Sequence, residues 1–132
     1  KEELKLLTGA MERVLDLTND AFESNDVALA RQVEPLEEVI DILVERLRDQ
    51  HIKRLKEGVC SIDTGVVFLD VLNNVERISD HCSNIAGCVI DAAQHDLNLH
   101  ETLRSVRHND EAYRRQFDTC AEVYRLPPPE QA

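Results

Sequence analysis

Apolar residues recur along the chain at alternating intervals of three and four, the period of one face of an α-helix. The first segment is predicted to be a helix from about Glu2 to Phe22, with the stripe Leu4, Leu7, Met11, Val14, Thr18 and Ala21. Asn25 or Asp26 is placed to cap a second helix. That helix is predicted from about Val27 to Glu57, with the stripe Leu29, Val33, Leu36, Ile40, Leu43 and Leu47.

Pro35 interrupts the second predicted helix. A proline in a helix interior removes a backbone hydrogen bond and costs about 3 kcal/mol. We therefore expect either a kink near residues 31–35 or a restart of the helix with Pro35 in its first turn. Gly58 is placed to end this helix.

Two further helices are predicted, from about Asp63 to Ala93 and from about His100 to Tyr124. The stripe of the third is Val71, Val75, Ile78, Cys82, Ile85 and Val89, and that of the fourth includes Leu103, Val106, Tyr113, Phe117, Cys120 and Tyr124. The linkers are short, which favours antiparallel neighbours. The sequence thus predicts an all-α, elongated antiparallel helical bundle as a single domain over residues 1–125, followed by a Pro-rich, disordered tail over residues 126–132.

Composition narrows the function classes. The 132 residues include 26 Asp and Glu against 15 Lys and Arg, a net charge of −11. Such a chain is repelled by nucleic-acid phosphates and by anionic membrane surfaces, and its apolar runs, such as Gly65–Leu69, are far too short to cross a bilayer. Its four cysteines form no CxxC pair and are expected to be reduced thiols. Because the chain starts at Lys1 within a predicted helix, we expect it to be a piece of a longer protein.

Acidic residues form rows on the two long central helices. Glu76, Asp80 and Asn84 are spaced i, i+4, i+8, and Glu37 and Asp41 are spaced i, i+4. Both rows lie off the apolar stripes and are predicted to face solvent. Glu34, Glu38 and Glu45 extend the acidic face of the second helix. Carboxylates in such rows repel one another. A solvated acidic face and a site for an oxygen-seeking cation both fit this spacing.

Residues 74–85 of the third predicted helix read Asn-Val-Glu-Arg-Ile-Ser-Asp-His-Cys-Ser-Asn-Ile. This run resembles the signature of PhoU domains, a family that typically has Leu-Glu-Arg-Ile-Gly-Asp followed by Asn-Ile. The matching positions are Glu76, Arg77, Ile78, Asp80, Asn84 and Ile85; Ser79 replaces the glycine and Val75 the leucine. The resemblance extends upstream through residues 25–33 and covers about residues 4–90.

The resemblance implies a three-helix bundle to which this chain adds a fourth helix, whereas PhoU proteins usually carry two such bundles in tandem. It also implies a metal site, with iron or zinc ahead of magnesium or calcium, whose ligands are Glu37, Asp41, Glu76, Asp80 and Asn84. The segment from His100 to Pro127 resembles the end of bacterial sodium/phosphate cotransporter-family proteins. The implied role is a cytoplasmic regulatory domain at the bacterial inner membrane, joined to a transporter portion of the same chain and forming homo-oligomers.

Other readings of the residues have less support. His95-Asp96 matches the central dipeptide of HD phosphohydrolases, but no later Asp completes that metal set. Ferritin-like di-iron sites need Glu-x-x-His on core-facing helices, a spacing that this sequence does not contain. Since no combination of acid, base and nucleophile is recognisable, we expect no enzymatic activity. The alternative to a metal-regulated domain is a metal-free helical module for dimerisation or docking.

Overall fold

The computed structural model describes residues 2–94 and 111–128. These residues form four helices and no strand: α1 Glu2–Ser24, α2 Val27–Lys56, α3 Ile62–Gln94 and α4 Glu111–Val123. The predicted all-α fold is therefore confirmed. The predicted beginning of the fourth helix at His100, the His95-Asp96 pair and the last residues of the tail lie outside the described residues.

Short, capped connections set the helices antiparallel. Asn25 takes a left-handed backbone conformation with φ 49°, which asparagine tolerates better than most residues. The Asp26 carboxylate then accepts a hydrogen bond from the Leu29 amide at 3.2 Å and caps α2. At its far end α2 returns to the beginning of α1, where Arg54 donates to Glu3 at 3.2 Å.

The beginning of α3 lies very close to the end of α2. The ring of His51, which is buried, is 3.2 Å from the carbonyl oxygen of Gly65. A β-carbon on residue 65 would lie 2.6 Å from a methyl carbon of Leu55, so only glycine fits at this crossing without displacing its neighbours. The Ser61 hydroxyl accepts a hydrogen bond from the Thr64 amide at 3.3 Å and so caps the beginning of α3.

The α2 helix lies at the centre of the fold and contacts α1, α3 and α4. It runs without interruption through Pro35, so the predicted restart is wrong. Pro35 is itself buried with Leu36 and Ile40. Tertiary packing on three sides thus outweighs the local cost of the proline. None of the described helices is long and apolar enough to cross a lipid bilayer.

The α3 helix buries a wider face than the predicted stripe. Val75, Cys82 and Val89 of that stripe are buried, as predicted, but Val71, Ile78 and Ile85 are each about 40% exposed. The core is completed by residues beside the stripe, most of them small, namely Leu72, Ser79, Ser83, Ala86, Gly87 and Ile90. Because α3 packs against both α1 and α2, its buried face is wider than one stripe. The prediction is therefore correct for one half of the stripe and wrong for the other half.

Candidate functional site

Three carboxylates meet where the middle of α2 faces α3. Glu37 and Asp41 are one turn apart on α2, and Asp80 lies opposite them on the antiparallel α3. One carboxylate oxygen from each lies within 4.8 Å of the other two. Glu37 is buried, Asp41 is half-buried and Asp80 is exposed. The cluster thus extends from the helix interface outward to solvent.

Burial and crowding change the protonation of this cluster. Burial of Glu37, hydrogen bonding to Asp41 and the negative charges of Asp41 and Glu34 raise the pKa of Glu37 to about 10, with a further contribution from hydrogen bonding to Asp80. Without a cation, Glu37 therefore carries a proton at neutral pH. A neutral carboxylic acid can donate a hydrogen bond to a neighbouring carboxylate, whereas an ionised one could only repel it.

Polar contacts hold the helices around the cluster in place. The Ser83 hydroxyl on α3 donates a hydrogen bond to Glu34, whose side chain is buried one turn before Glu37. From α4, the Tyr113 hydroxyl donates to Glu38. These partners are separated by 49 and 75 residues, respectively. No local pattern signals such contacts, and the sequence analysis missed them.

The predicted solvent-facing position of the α2 acids is wrong for Glu34 and Glu37, which are 1% and 2% exposed. The prediction assumed that α2 buries one apolar stripe and exposes the remainder. Because α2 is packed against three other helices, acids beside that stripe are also covered. Asp80 and Asn84 on α3 are exposed, as expected.

The two remaining predicted ligands, Glu76 and Asn84, flank Asp80 on α3, and Glu76 is not part of the group of three carboxylates. Glu76 accepts a hydrogen bond at 3.2 Å from Arg48, which also donates to Asn73 at 2.9 Å. Asn84 follows Asp80 by one turn on α3 and is exposed. The structure therefore brings together Glu37, Asp41 and Asp80, while a ligand role for Glu76 or Asn84 stays a prediction.

The donor set fits a cation that prefers oxygen. All three clustered groups are carboxylates, the ligand type that Mg²⁺, Ca²⁺ and Mn²⁺ favour and that iron and zinc also accept. A cation would replace the Glu37 proton and neutralise the repulsion that raises its pKa. Asp80 and Asp41 are accessible enough for water to complete the coordination.

Comparisons with known proteins identify the family of this chain. The chain is 30% identical over 110 residues to the phosphate-specific transport system accessory protein PhoU homolog 1 of Thermotoga maritima. The alignment takes in 83% of the chain but 47% of that protein, so the chain spans about half its length. No solved structure is significantly similar. Residues 4–89, which include α1, α2 and most of α3 with all three carboxylates, match the PhoU domain; the chain belongs to the PhoU domain family.

Proposed function

We propose that this chain is a regulatory PhoU-like domain that binds a metal ion through Glu37, Asp41 and Asp80 and controls phosphate uptake. The observation that carries the proposal is the approach of the three carboxylates to within 4.8 Å across two helices. A purely solvated acidic face would keep like charges apart, because each separation lowers their repulsion. Iron and zinc are the metals expected from the family resemblance. Glu76 and Asn84, one turn before and one turn after Asp80 on α3, are the candidates for additional ligands.

The link to transport rests on the family and on the relative. The protein from Thermotoga maritima is described as an accessory protein of phosphate-specific transport. The resemblance of residues 100–127 to sodium/phosphate cotransporter-family proteins makes the regulated partner a transporter portion of the same longer chain. This assignment puts the domain at the cytoplasmic side of the bacterial inner membrane, without enzymatic activity and in a homo-oligomer. The metal would then hold α2 and α3 together in one arrangement that the transporter recognises.

One observation favours the alternative of a metal-free interaction module. The outer face of α3 presents Val71, Ile78 and Ile85, each about 40% exposed and seven residues apart. Aliphatic side chains at this interval form the seam of helix–helix interfaces. In this alternative the protonated Glu37 replaces the metal, and the domain acts only by docking.

Metal analysis separates these two functions. The chain is stripped with chelator, exposed to iron, zinc, magnesium, manganese or calcium, desalted and measured by elemental analysis. Asp80→Asn removes a ligand charge with little change in shape, and Glu37→Gln keeps a hydrogen-bond donor in place of the protonated acid. Asp70→Asn is the matched control, because Asp70 is an exposed acid on the same helix.

We expect stoichiometric metal in the wild type and in Asp70→Asn, and loss of affinity by more than about 100-fold in the two cluster variants, since even outer-shell partners are worth 10–100-fold. Equal metal content in all four proteins would overturn the site. Phosphate uptake by cells that express the chain with its natural flanking sequences then tests regulation. Uptake should change in Asp80→Asn and stay unchanged in Asp70→Asn.

A further inference from the structure

A second candidate site lies on the opposite side of α2, where α4 packs against it. A cavity of about 140 Å³ is lined by aliphatic and aromatic side chains, together with Arg46 and Arg125. The apolar part includes Leu43 of α2 and Phe117 of α4. The same two arginines also line an adjoining open cleft of about 760 Å³, with Gln50 on its wall. The cavity and the cleft together are called the α2–α4 groove.

The two arginines of the groove lack acidic partners among residues 2–94 and 111–128. This is unexpected in a chain with 26 acidic residues and a net charge of −11. By contrast, Arg48 and Arg54 on the same α2 helix each contact a carboxylate at 3.2 Å. Glu2, at the edge of the cleft, is 3.6 Å from Lys5. The groove therefore presents two exposed guanidinium groups beside an apolar surface, and neither contacts a carboxylate of the described residues.

A third cation lies near the groove. Tyr124 lines the same cavity as Arg46 and Arg125. Burial raises the pKa of the Tyr124 hydroxyl, and the positive charge of Arg13 on α1 opposes that rise, which places Arg13 within electrostatic reach of the ring. Positive charge thus gathers here from α1, α2 and the end of α4, within an otherwise acidic protein.

We propose that the α2–α4 groove binds a small soluble organic phosphate, with its phosphoryl group between Arg46 and Arg125 and its apolar body against Phe117. Each guanidinium presents a planar fork of donors that matches phosphoryl oxygens. Two guanidinium groups offer more hydrogen-bond donors than the two oxygens of a carboxylate can accept. A phosphoryl group, with three terminal oxygens, is therefore the better ligand. Ligand sites of this kind combine an apolar wall with a few polar groups that fix orientation. The site is separate from the carboxylate cluster, so either can fail without the other.

Phenyl phosphate is the simplest probe of this site, because it joins one phosphoryl group to one ring. Isothermal titration calorimetry compares it with inorganic phosphate, which lacks the ring, and with phenol, which lacks the charge. The variants are Arg46→Gln combined with Arg125→Gln, and Arg46→Lys, which keeps the charge but loses the fork. Arg115→Gln is the matched control, since Arg115 is exposed on α4 and lines neither part of the groove.

We expect phenyl phosphate to bind at least about tenfold more tightly than inorganic phosphate, because the ring is buried against apolar surface. The double variant should bind it at least about tenfold more weakly, and Arg115→Gln should be unchanged. Absence of phenyl phosphate binding to the folded wild type would overturn the proposal, as would an equal loss in Arg115→Gln. Arginine-dependent binding to phosphatidate vesicles without binding of phenyl phosphate would also overturn it. Circular dichroism verifies that each variant is folded.

Discussion

The two sides of α2 place charged residues in opposite environments. Toward α3, Glu34 and Glu37 are buried and crowded by further carboxylates, and one of them holds a proton. Toward α4, Arg46 is exposed beside an apolar cavity and has no acidic partner among the described residues. Asp41 and Arg46 are only five positions apart. The packing around a helix face, rather than the residues it carries, therefore decides whether its charges are strained or available.

The largest expected effect is a pH-dependent free energy of unfolding that arises from Glu37, on the α3 side of α2, and not from Arg46, on the α4 side. In chelator-treated protein the pKa of Glu37 is about 10 when folded and about 4.5 when unfolded, so the folded state binds more protons between these values. The stability that this group contributes is complete below about pH 4.5 and is lost as the pH rises toward 10. The slope reaches at most about 1.4 kcal/mol per pH unit.

Urea unfolding of chelator-treated wild type and Glu37→Gln, measured from pH 5 to 8, checks this expectation. The wild type should lose stability relative to the variant as the pH rises. Arg46→Gln, on the other side of the helix, should follow the wild type. Parallel curves for wild type and Glu37→Gln would show that Glu37 is not protonated in the folded chain.

Adding a metal ion should stabilise the folded chain through the carboxylate cluster and not through the α4 side of α2. A cation that binds only the folded state stabilises it by about 2.7 kcal/mol at one hundred times its dissociation constant. We expect this gain in the wild type and in Arg46→Gln, and its loss in Asp80→Asn. Thermal unfolding with and without the metal identified by elemental analysis gives the measurement. An equal gain in Asp80→Asn would place the cation elsewhere.

An intermediate change in the free energy of unfolding is expected from substitutions of two serines on α3. Ser83 donates to the buried Glu34, so Ser83→Ala should cost about 1–3 kcal/mol because a buried oxygen loses its hydrogen-bond donor. Ser79 is 0% exposed, and its hydroxyl has no hydrogen-bond partner within the described part of the chain. Ser79→Ala should therefore leave stability unchanged or raise it by about 1 kcal/mol. Urea unfolding of both variants measures the difference. Equal losses of stability in Ser83→Ala and Ser79→Ala would show that the Ser83 hydrogen bond contributes nothing specific.

The smallest expected effect compares two arginines of α2. Arg46 has no acidic partner among the described residues, so Arg46→Gln should change the free energy of unfolding by less than about 0.5 kcal/mol. Arg48 contacts Glu76 and is partly exposed, so Arg48→Gln should cost at most about 1 kcal/mol. Denaturant unfolding of the two variants in the same buffer makes the comparison. A larger loss in Arg46→Gln would reveal a structural role for that side chain.

Periodicity was sufficient to locate the helices and much of the core, but not the width of each buried face. The first three predicted helices agree with the structure to within two residues at each end. The interval of four also identified Glu37 and Asp41 as one pair and Asp80 as a member of the opposing row. Burial of Glu37 and exposure of Ile78 were not predictable in the same way, because both depend on how many helices surround each element. The contacts of Ser83 and Tyr113 with the α2 acids join residues distant in sequence, so no local pattern predicted them.

The two-residue link between α1 and α2 has a consequence for the order of folding. Asn25 and Asp26 join helices that meet through contacts close in sequence, and such contacts form early because little chain entropy is lost. The contact between Tyr113 and Glu38 closes 75 residues, so α4 is expected to dock last and to detach first in partial unfolding. The carboxylate cluster on α2 and α3 would be assembled before the α2–α4 groove exists. A ligand of that groove would consequently bind only chains in which α4 is already docked on α2.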